Sequence, residues 1–342
     1  MIEVNRTQEE RALRLHKEAI IVDTHCDSIG LEYLSKGRTP GRNFGVRGET
    51  GQVDLPRLIE GGVTCQVFAL SALRDRYSGY SRGPIVPEVM LKGLKQVDKF
   101  YSDMANCAGF KTVTTVDEII QAKKNGLVTG MLSMEGAELL MGEIALLRVF
   151  YMLGIRIISF TWNYRTPFAD GLGAKRSKSK LPELGVHALE EMDKLGIVFD
   201  VSHLCDTNFW DVCDLMKGPF IASHSNCRDL CHVPRNLTDD MIWALADHEG
   251  VIGVEFVGSA VAKVNPNLEK LVDHVDHIVD LVGPDHVGLG SDFDGGGKLP
   301  ELNDTSQFPN VTRELVKRNY SDKDILKILG GNHMRVFKTV FK

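Results

Sequence analysis

The sequence lacks features that mark several large classes of protein. No stretch approaches 18 uninterrupted apolar residues, the length that a membrane-spanning helix requires. The N-terminal segment MIEVNRTQEERALRLHKEA carries charges throughout and has no apolar core, so a secretory signal is not expected. A formal net charge of −6 argues against nucleic acid as the main partner. These absences predict a cytoplasmic protein with neither a membrane nor a nucleic-acid partner.

The seven cysteines form no Cys-x-x-Cys pair, and most of them lie in apolar stretches. An odd set of this kind predicts buried free thiols in a reducing compartment rather than a disulfide framework. The rest of the composition, 43% hydrophobic and 25% charged over 342 residues, is that of a globular chain long enough for one large α/β barrel or two smaller domains.

The stretch AIIVDTHCDS, residues 19–28, begins the part of the chain that carries chemistry. Residues 19–22 predict a buried strand, and a polar run begins where that strand should end. Because residues two apart in a strand share a face, His25 and Asp27 are expected to point the same way and Cys26 the other way. An imidazole and a carboxylate at a strand end suit a divalent metal, although a core histidine beside a turn aspartate gives the same pattern.

Apolar strand patterns then alternate with helical patterns along the chain, after a short first helix for which Thr7 and Glu10 predict a capping box. The later predicted strands are residues 63–70, 127–134, 155–161, 197–202, 220–223, 251–257 and 287–290. Eight strands, each followed by helix, predict a parallel sheet closed as a (β/α)8 TIM-type barrel. The alternative is an open doubly wound sheet, but no Gly-x-Gly-x-x-Gly follows the first strand.

A barrel of this type places its chemistry at the C-terminal ends of its strands. The candidate groups that follow the predicted strands are His25 and Asp27, Glu135 in LSMEGAE, His203 in FDVSH, His224 in IASHSN and Asp292 in GLGSDFDG. Each one alone is compatible with a structural role, such as capping a helix or bonding to the backbone. Structural residues have no reason to choose the same end of five different strands, so together the six predict a metal centre.

The donor set indicates the kind of metal centre. Three imidazoles with Asp27 and Glu135 exceed what one zinc ion with an open position needs, and they match two zinc ions that share a bridging carboxylate and a bridging hydroxide. Glu135 is the candidate bridge, because no lysine follows the third or fourth strand to supply a carbamylated one. Manganese, nickel and cobalt bind the same kinds of ligand, so the sequence leaves the metal open.

Seven motifs resemble, in this order, those of the membrane (renal) dipeptidase family of dinuclear zinc peptidases: VDTHCD, SMEGAE, DVSHLCD, SHSN, PRNLTDD, GLGSDFDG and GGNHMRVF. The resemblance covers nearly the whole chain. It implies one (β/α)8-barrel metallopeptidase domain over residues 1–342, with an N-terminal helix and a C-terminal helical tail. It also implies a homodimer that hydrolyses dipeptides with an L- or D-residue at the C-terminal side.

The resemblance also implies a role for each matching residue. One zinc ion is implied to bind His25, Asp27 and Glu135, and the other to bind Glu135, His203 and His224. Asp292 matches the family's catalytic acid/base. Arg235, in VPRN, matches the arginine that binds the terminal carboxylate of the substrate, and a guanidinium suits that task because it binds a carboxylate with two parallel hydrogen bonds.

The segment SFTWNYRTPFAD, after the fourth predicted strand, departs from the family. Trp162 stands where the best-studied members carry a histidine that helps to hold the substrate, and its indole N–H donates one hydrogen bond but cannot titrate. We expect Trp162 and Asn163 to bind substrate, with Tyr164 as a further donor; a core position for Trp162 is the alternative. The lipid-anchored form of animal members is not expected, because the sequence shows neither a secretion signal nor a hydrophobic C-terminal tail.

Two other functions stay open at this point. A different metal hydrolase on the same barrel, such as a lactonase or an amidase, would leave Arg235 without a substrate carboxylate. An inactive metal-binding homologue is favoured only by Trp162.

Overall fold

The computed structural model describes residues 2–29, 43–72, 87–105, 107–176 and 179–342. The sequence also predicts a Gly- and Arg-rich loop over residues 28–53 and a helix over residues 86–107. Residues 30–42 of the loop and residues 86 and 106 of the helix lie outside the described range. In the part of the chain that is described, no helix has the length and apolar character needed to cross a bilayer. All seven cysteines are free thiols, and five of them are buried.

The strands are β1 (Val22–Cys26), β2 (Cys65–Ser71), β3 (Phe110–Thr112), β4 (Val128–Glu135), β5 (Ile155–Ser159), β6 (Val198–Asp200), β7 (Ile221–Ala222), β8 (Val251–Val254) and β9 (Val287–Leu289). All pair in parallel, in the order β2-β1-β9-β8-β7-β6-β5-β4-β3, and β2 also pairs with β4 from Cys65↔Thr129 to Ser71↔Glu135. This last pairing closes eight strands into a ring and leaves β3 beside the start of β4. The predicted (β/α)8 barrel is therefore confirmed, and the open doubly wound sheet is wrong.

The α-helices are α1 (Arg6–Glu18), α2 (Leu55–Glu60), α3 (Pro87–Ala105), α4 (Val116–Lys124), α5 (Ile144–Met152), α6 (Glu183–Leu195), α7 (Asp206–Leu215), α8 (Asp239–Asp247), α9 (Gly258–Val261), α10 (Leu268–Val282), α11 (Pro309–Lys317), α12 (Asp322–Leu326) and α13 (Asn332–Val340). Local chemistry sets several of their starts: the side chains of Asp54, Thr238 and Asn267 each accept a hydrogen bond from the backbone N–H three residues on.

Two local predictions were wrong, and two elements were not predicted. The first strand begins at Val22 rather than at residue 19, so the VDTHC stretch is itself β1. Asn5 with Gln8, not Thr7 with Glu10, forms the capping box of α1. The strand β3 was not predicted, because it spans only three residues, of which only Phe110 is buried, and the helix α4 that follows it was not predicted either.

The interior of the barrel is closed by apolar side chains at the N-terminal ends of the strands. One buried cluster joins the first residues of several strands, such as Val22, Cys65 and Ile221, to Val336 and Phe337 of α13. The C-terminal helix therefore packs against the bottom of the barrel. The opposite end, where the strands finish, is left for polar groups.

Candidate metal centre and substrate pocket

The predicted site residues come together at the C-terminal mouth of the barrel. His25 lies in β1 and Glu135 is the last residue of β4, whereas Asp27, His203, His224 and Asp292 follow β1, β6, β7 and β9 within three residues. All six side chains are buried or nearly so. Since the strands are parallel, their C-terminal ends share one rim, and this rim brings together groups up to 267 residues apart in the chain.

Glu135 lies at the centre of one half of the cluster. Its Oε1 atom is 3.0 Å from His203 Nε2, 3.4 Å from His224 Nε2 and 3.8 Å from His25 Nε2. The Nε2 atoms of His203 and His224 are 3.2 Å apart. One carboxylate oxygen thus faces three imidazole nitrogens.

His25 connects this half to a second group of carboxylates. Its Nε2 atom lies 3.8 Å from Asp27 Oδ2 and 3.8 Å from Asp292 Oδ1. Two sets therefore have ligand atoms within 4.8 Å of one another: His25 with Glu135 and His224, and His25 with Asp27 and Asp292. His25 belongs to both sets, so the two halves form one continuous cluster.

Two hydrogen bonds orient the histidines that face Glu135. His224 Nδ1 lies 2.7 Å from Ser223 Oγ, which in turn lies 2.5 Å from Asp200 Oδ2. A carboxylate only accepts, so the hydroxyl donates to Asp200 and accepts from the Nδ1–H of His224. His203 Nδ1 lies 3.0 Å from the side-chain oxygen of Asn163, to which it donates. Both rings therefore keep Nε2 unprotonated and directed at Glu135, as metal-binding imidazoles do.

The electrostatics of the site favour a bound cation. Burial, followed by the charges of His25 and Arg235, holds the pKa of His224 well below its usual range, and burial does the same to His203. Both imidazoles are therefore neutral. Burial, reinforced by the nearby Asp27 carboxylate, raises the pKa of Glu135 to about 8. Burial alone would lower the pKa of His25, but the carboxylates around it, that of Glu135 first, raise it to about 10.

The fit of a metal can be tested on the polar atoms that find no partner. Among the described residues, His25 Nε2 and Asp27 Oδ1 are buried and form no hydrogen bond. Leaving a buried donor or acceptor unsatisfied costs about 1–3 kcal/mol, so such atoms within a cluster of candidate ligands indicate that the cluster binds a further group. The donor set of imidazole nitrogens and carboxylate oxygens is suited to zinc and related metals. The residues present thus fit a metal centre.

A glycine-rich turn allows two of the carboxylates to approach each other. Asp292 has a positive φ of 56°, and its carbonyl oxygen accepts hydrogen bonds from the N–H groups of Gly296 and Gly297. A Cβ atom at Gly295 would lie 2.1 Å from Asp27 Oδ2 and 2.2 Å from Asp292 Oδ1. Only glycine leaves room for both oxygens at this point.

Arg235 lies next to the metal cluster and is held from several sides. Its Nη1 atom donates to Ser225 Oγ at 2.8 Å, and its Nη2 atom donates to the backbone oxygen of His224. Nη2 is also 3.0 Å from Glu255 Oε2, and both side chains are largely buried. The guanidinium is therefore fixed beside one of the candidate ligands.

Glu255 is a mouth residue that the sequence reasoning missed. It follows β8 directly, although the strand predicted over residues 251–257 placed it inside a strand. Burial raises the pKa of its carboxyl, while the charges of Arg235 and His25 lower it. The signal that could have found it is a single charged residue in the apolar run GVIGVEFVG, at the end of the one barrel strand between those of His224 and Asp292.

Trp162 and Asn163 lie on the rim of the mouth after β5, and both are half-buried. The centroid of the Trp162 ring is 6.0 Å from that of His203 and 5.6 Å from that of Tyr164. Trp162 is thus beside the cluster and not in the barrel core. Asn163 contacts His203 through the hydrogen bond described above.

Imidazoles and carboxylates gathered at the mouth of a (β/α)8 barrel, beside a fixed arginine, are the arrangement of metal-dependent barrel hydrolases. The profile of the membrane dipeptidase family, peptidase family M19, matches residues 9–342. The chain belongs to this family of metallopeptidases, and the resemblance found in the sequence motifs is confirmed.

Individual relatives agree with this assignment. The chain is 29% identical to Dipeptidase 3 of Mus musculus over 97% of its own length but spans only 66% of that protein. It is 31% identical to an uncharacterized dipeptidase of Schizosaccharomyces pombe, covering 96% of this chain and 82% of the relative. A metallo peptidase of Rhodobacter sphaeroides, solved with a phosphinate mimic of the dipeptide L-Ala-D-Ala, superposes with a TM-score of 0.85. That match has 26% identity and covers 94% of this chain and 100% of the other.

Proposed function

We propose that this protein is a metal-dependent dipeptidase that hydrolyses the peptide bond of L-Xaa-L-Xaa or L-Xaa-D-Xaa dipeptides. The observation that carries the proposal is the buried cluster centred on Glu135 and His25 with Arg235 fixed at its edge. This arrangement offers a cation site and a carboxylate site side by side. The family and the names of its members support the same activity.

The metal part of the proposal is a pair of zinc ions. His25, Asp27 and Glu135 would hold one ion, and Glu135, His203 and His224 the other. Bound there, the two cations would lower the pKa of a shared water and polarise the carbonyl of the scissile bond.

The residues of the chain would supply the remaining functions. Arg235 binds the terminal carboxylate of the substrate, and Asp292 takes a proton from the attacking water and passes it to the leaving nitrogen. Because Arg235 and the metal ligands are fixed on one rim, the distance between the carboxylate and the scissile bond is fixed too. This arrangement selects the last peptide bond before a free C-terminal carboxylate, and the tripeptide control below tests whether only one residue is accepted on the N-terminal side of that bond. Trp162 and Asn163 line the rim on the other side, next to His203.

The test is a panel of L,L and L,D dipeptides given to the metal-reconstituted protein, with N-acetylated, C-amidated and tripeptide controls. We expect cleavage of free dipeptides that falls by about 10- to 100-fold on C-terminal amidation, the value of one charge-assisted pair. Arg235→Ala should raise KM more than it lowers kcat, and Asp292→Asn should lower kcat. Two bound metals with no dipeptide cleavage, but with hydrolysis of lactones or other amides, would overturn the proposal.

A further inference from the structure

Arg235 already has a negative partner before any substrate carboxylate reaches it. Glu255 is only 2% exposed, and its Oε2 atom lies 3.0 Å from Arg235 Nη2. That oxygen forms no hydrogen bond with another described residue, so the contact is an ion pair in which Oε2 keeps its capacity to accept. A buried carboxylate oxygen without a hydrogen-bond donor costs free energy, and a ligand that donates a hydrogen bond to it removes this cost.

Glu255 lies at the mouth of the barrel, between the strands that lead to two of the candidate site residues. It follows β8, which lies in the sheet between β7 and β9, and those two strands lead to His224 and Asp292. Gly290 N donates to Val254 O at 3.1 Å, and the register Val254↔Leu289 places Glu255 level with Gly290, two residues before Asp292. The charge of Glu255 acts on Asp292 and raises the pKa of its carboxyl, after burial and Asp27.

The Arg235–Glu255 pair presents a cation and an anion side by side. In a dipeptide, the C-terminal residue carries its carboxylate and the scissile nitrogen on the same carbon atom. Hydrolysis adds the oxygen of water to the carbonyl carbon, breaks the C–N bond and moves both water protons to the nitrogen, so the released amino acid is a zwitterion. With its carboxylate on Arg235, the nitrogen is within reach of the carboxylate that touches the same guanidinium.

We propose that Glu255 binds the nitrogen of the C-terminal residue: it accepts a hydrogen bond from the scissile N–H and pairs with the ammonium that forms when the bond breaks. This assignment rests on the dipeptidase function proposed above. It makes Glu255 a residue that acts on the leaving group, separate from Asp292, which delivers the proton.

The test compares two molecules that differ only at the atom in question. An alanyl-alanine dipeptide has an N–H at the scissile bond and releases alanine, whereas alanyl-lactate has an ester oxygen there and releases lactate. Both keep the carboxylate that Arg235 binds. We expect the holoenzyme to bind alanine about 10- to 100-fold more tightly than lactate, the value of one charge-assisted hydrogen bond.

Glu255→Gln keeps the shape of the side chain and removes its charge. In this variant the alanine-over-lactate preference should fall by about 10- to 100-fold, and so should the ratio of kcat/KM for peptide over ester. Glu255→Asp, which keeps the charge, should retain the sign of both preferences. The matched control is Ser225→Ala, which removes the other side-chain contact of Arg235 at 2.8 Å and should weaken peptide and ester, or alanine and lactate, to the same extent.

Equal losses on peptide and ester in Glu255→Gln would overturn the inference and leave Glu255 only as a support for Arg235. Equal binding of alanine and lactate by the wild-type holoenzyme would overturn it as well. If the wild-type holoenzyme cleaves no dipeptide, the proposed function fails instead. Calorimetric binding of alanine and lactate then still tests Glu255 by itself.

Discussion

The hydrogen-bond chain Asp200–Ser223–His224 predicts how a single remote atom controls metal binding. Asp200 accepts from Ser202 N at 2.9 Å and Ser223 N at 2.8 Å through Oδ1, and from Ser223 Oγ at 2.5 Å through Oδ2. Asp200→Asn keeps both backbone bonds but replaces Oδ2 by an N–H donor. The Ser223 hydroxyl then accepts from Asn, and its nearest acceptor becomes His224 Nδ1 at 2.7 Å rather than Ser202 Oγ at 3.3 Å. His224 is thereby driven to the tautomer with its proton on Nε2, the atom that faces Glu135.

The magnitude follows from reversing one charge-assisted bond. Binding a metal at Nε2 would require the variant to give up the new donor arrangement, which costs about 1.5–3 kcal/mol. This corresponds to a loss of roughly 10- to 100-fold in metal affinity, the range found when groups that orient metal ligands are changed. Competition with a chromophoric chelator measures the affinity directly, and thermal unfolding checks the fold.

Asp211→Asn is the matched control for this experiment. Asp211 is also a buried carboxylate that accepts a backbone bond, from Leu181 N at 2.8 Å, but it lies on α7 outside the ligand cluster. We expect it to leave metal affinity unchanged. If Asp200→Asn binds metal within about threefold of wild type, well short of the expected loss, the tautomer reasoning is wrong.

The glycine turn, a core histidine and the metal requirement give three more predictions. Gly295→Ala should lower kcat/KM and bound metal by about 100-fold, because its Cβ displaces the Asp27 and Asp292 oxygens, whereas Gly218→Ala, with open space around it, should have no effect. His333 is fully buried, and burial lowers its pKa to about 3. Between about pH 6.5 and pH 3, His333 is therefore protonated in the unfolded chain but not in the native chain. Denaturant titrations should show that the free energy of unfolding decreases as the pH is lowered through this range, by up to ~1.4 kcal/mol per pH unit more than in His333→Leu. Chelation should lower Tm, and zinc at about 100 times its Kd should restore roughly 2.7 kcal/mol; an unchanged Tm would contradict the metal assignment.

The barrel could be predicted because its strands are short apolar runs, each followed by a polar residue. The elements that escaped prediction have weak or hidden signals. Helix α4 had one that went unused: Thr115 and Glu118 have the Thr-x-x-Glu spacing of a capping box. The Thr115 side chain accepts from Glu118 N, although Glu118 Oε2 accepts from Thr114 N and not from the N–H of the cap residue. The 3-10 turn Ala137–Leu140 is followed by Met141, whose φ of 52° is not helical, so the turn is separate from α5. Helical periodicity alone cannot reveal such a break.

The candidate site divides in the same way. Residues that follow strands were predicted from local pattern, because in a parallel barrel every strand end reaches the same rim. The partners that orient them were not, since each pairing joins separate segments: Asn163 reaches His203 from 40 residues away, and Asp200 reaches Ser223 from 23 residues away. Glu255 was missed for two reasons: it was predicted to lie inside a strand, and its role depends on its contact with Arg235 in a different loop.

Backbone strain within the site shows why several of its residues follow the strands instead of lying inside them. His203 and Asp292 both have positive φ, 68° and 56°, a conformation that costs a non-glycine residue about 1–2 kcal/mol. Each is held there by bonds to its carbonyl oxygen: Leu172 N at 3.1 Å and Thr161 Oγ1 at 3.2 Å for His203, and Gly297 N at 2.7 Å for Asp292. Successive side chains of a barrel strand must point alternately to the barrel interior and to the surrounding helices. A residue that no longer pairs in the sheet can instead turn its side chain toward the barrel axis. The barrel strands thus form a rigid rim, and the residues that follow them orient side chains of the site.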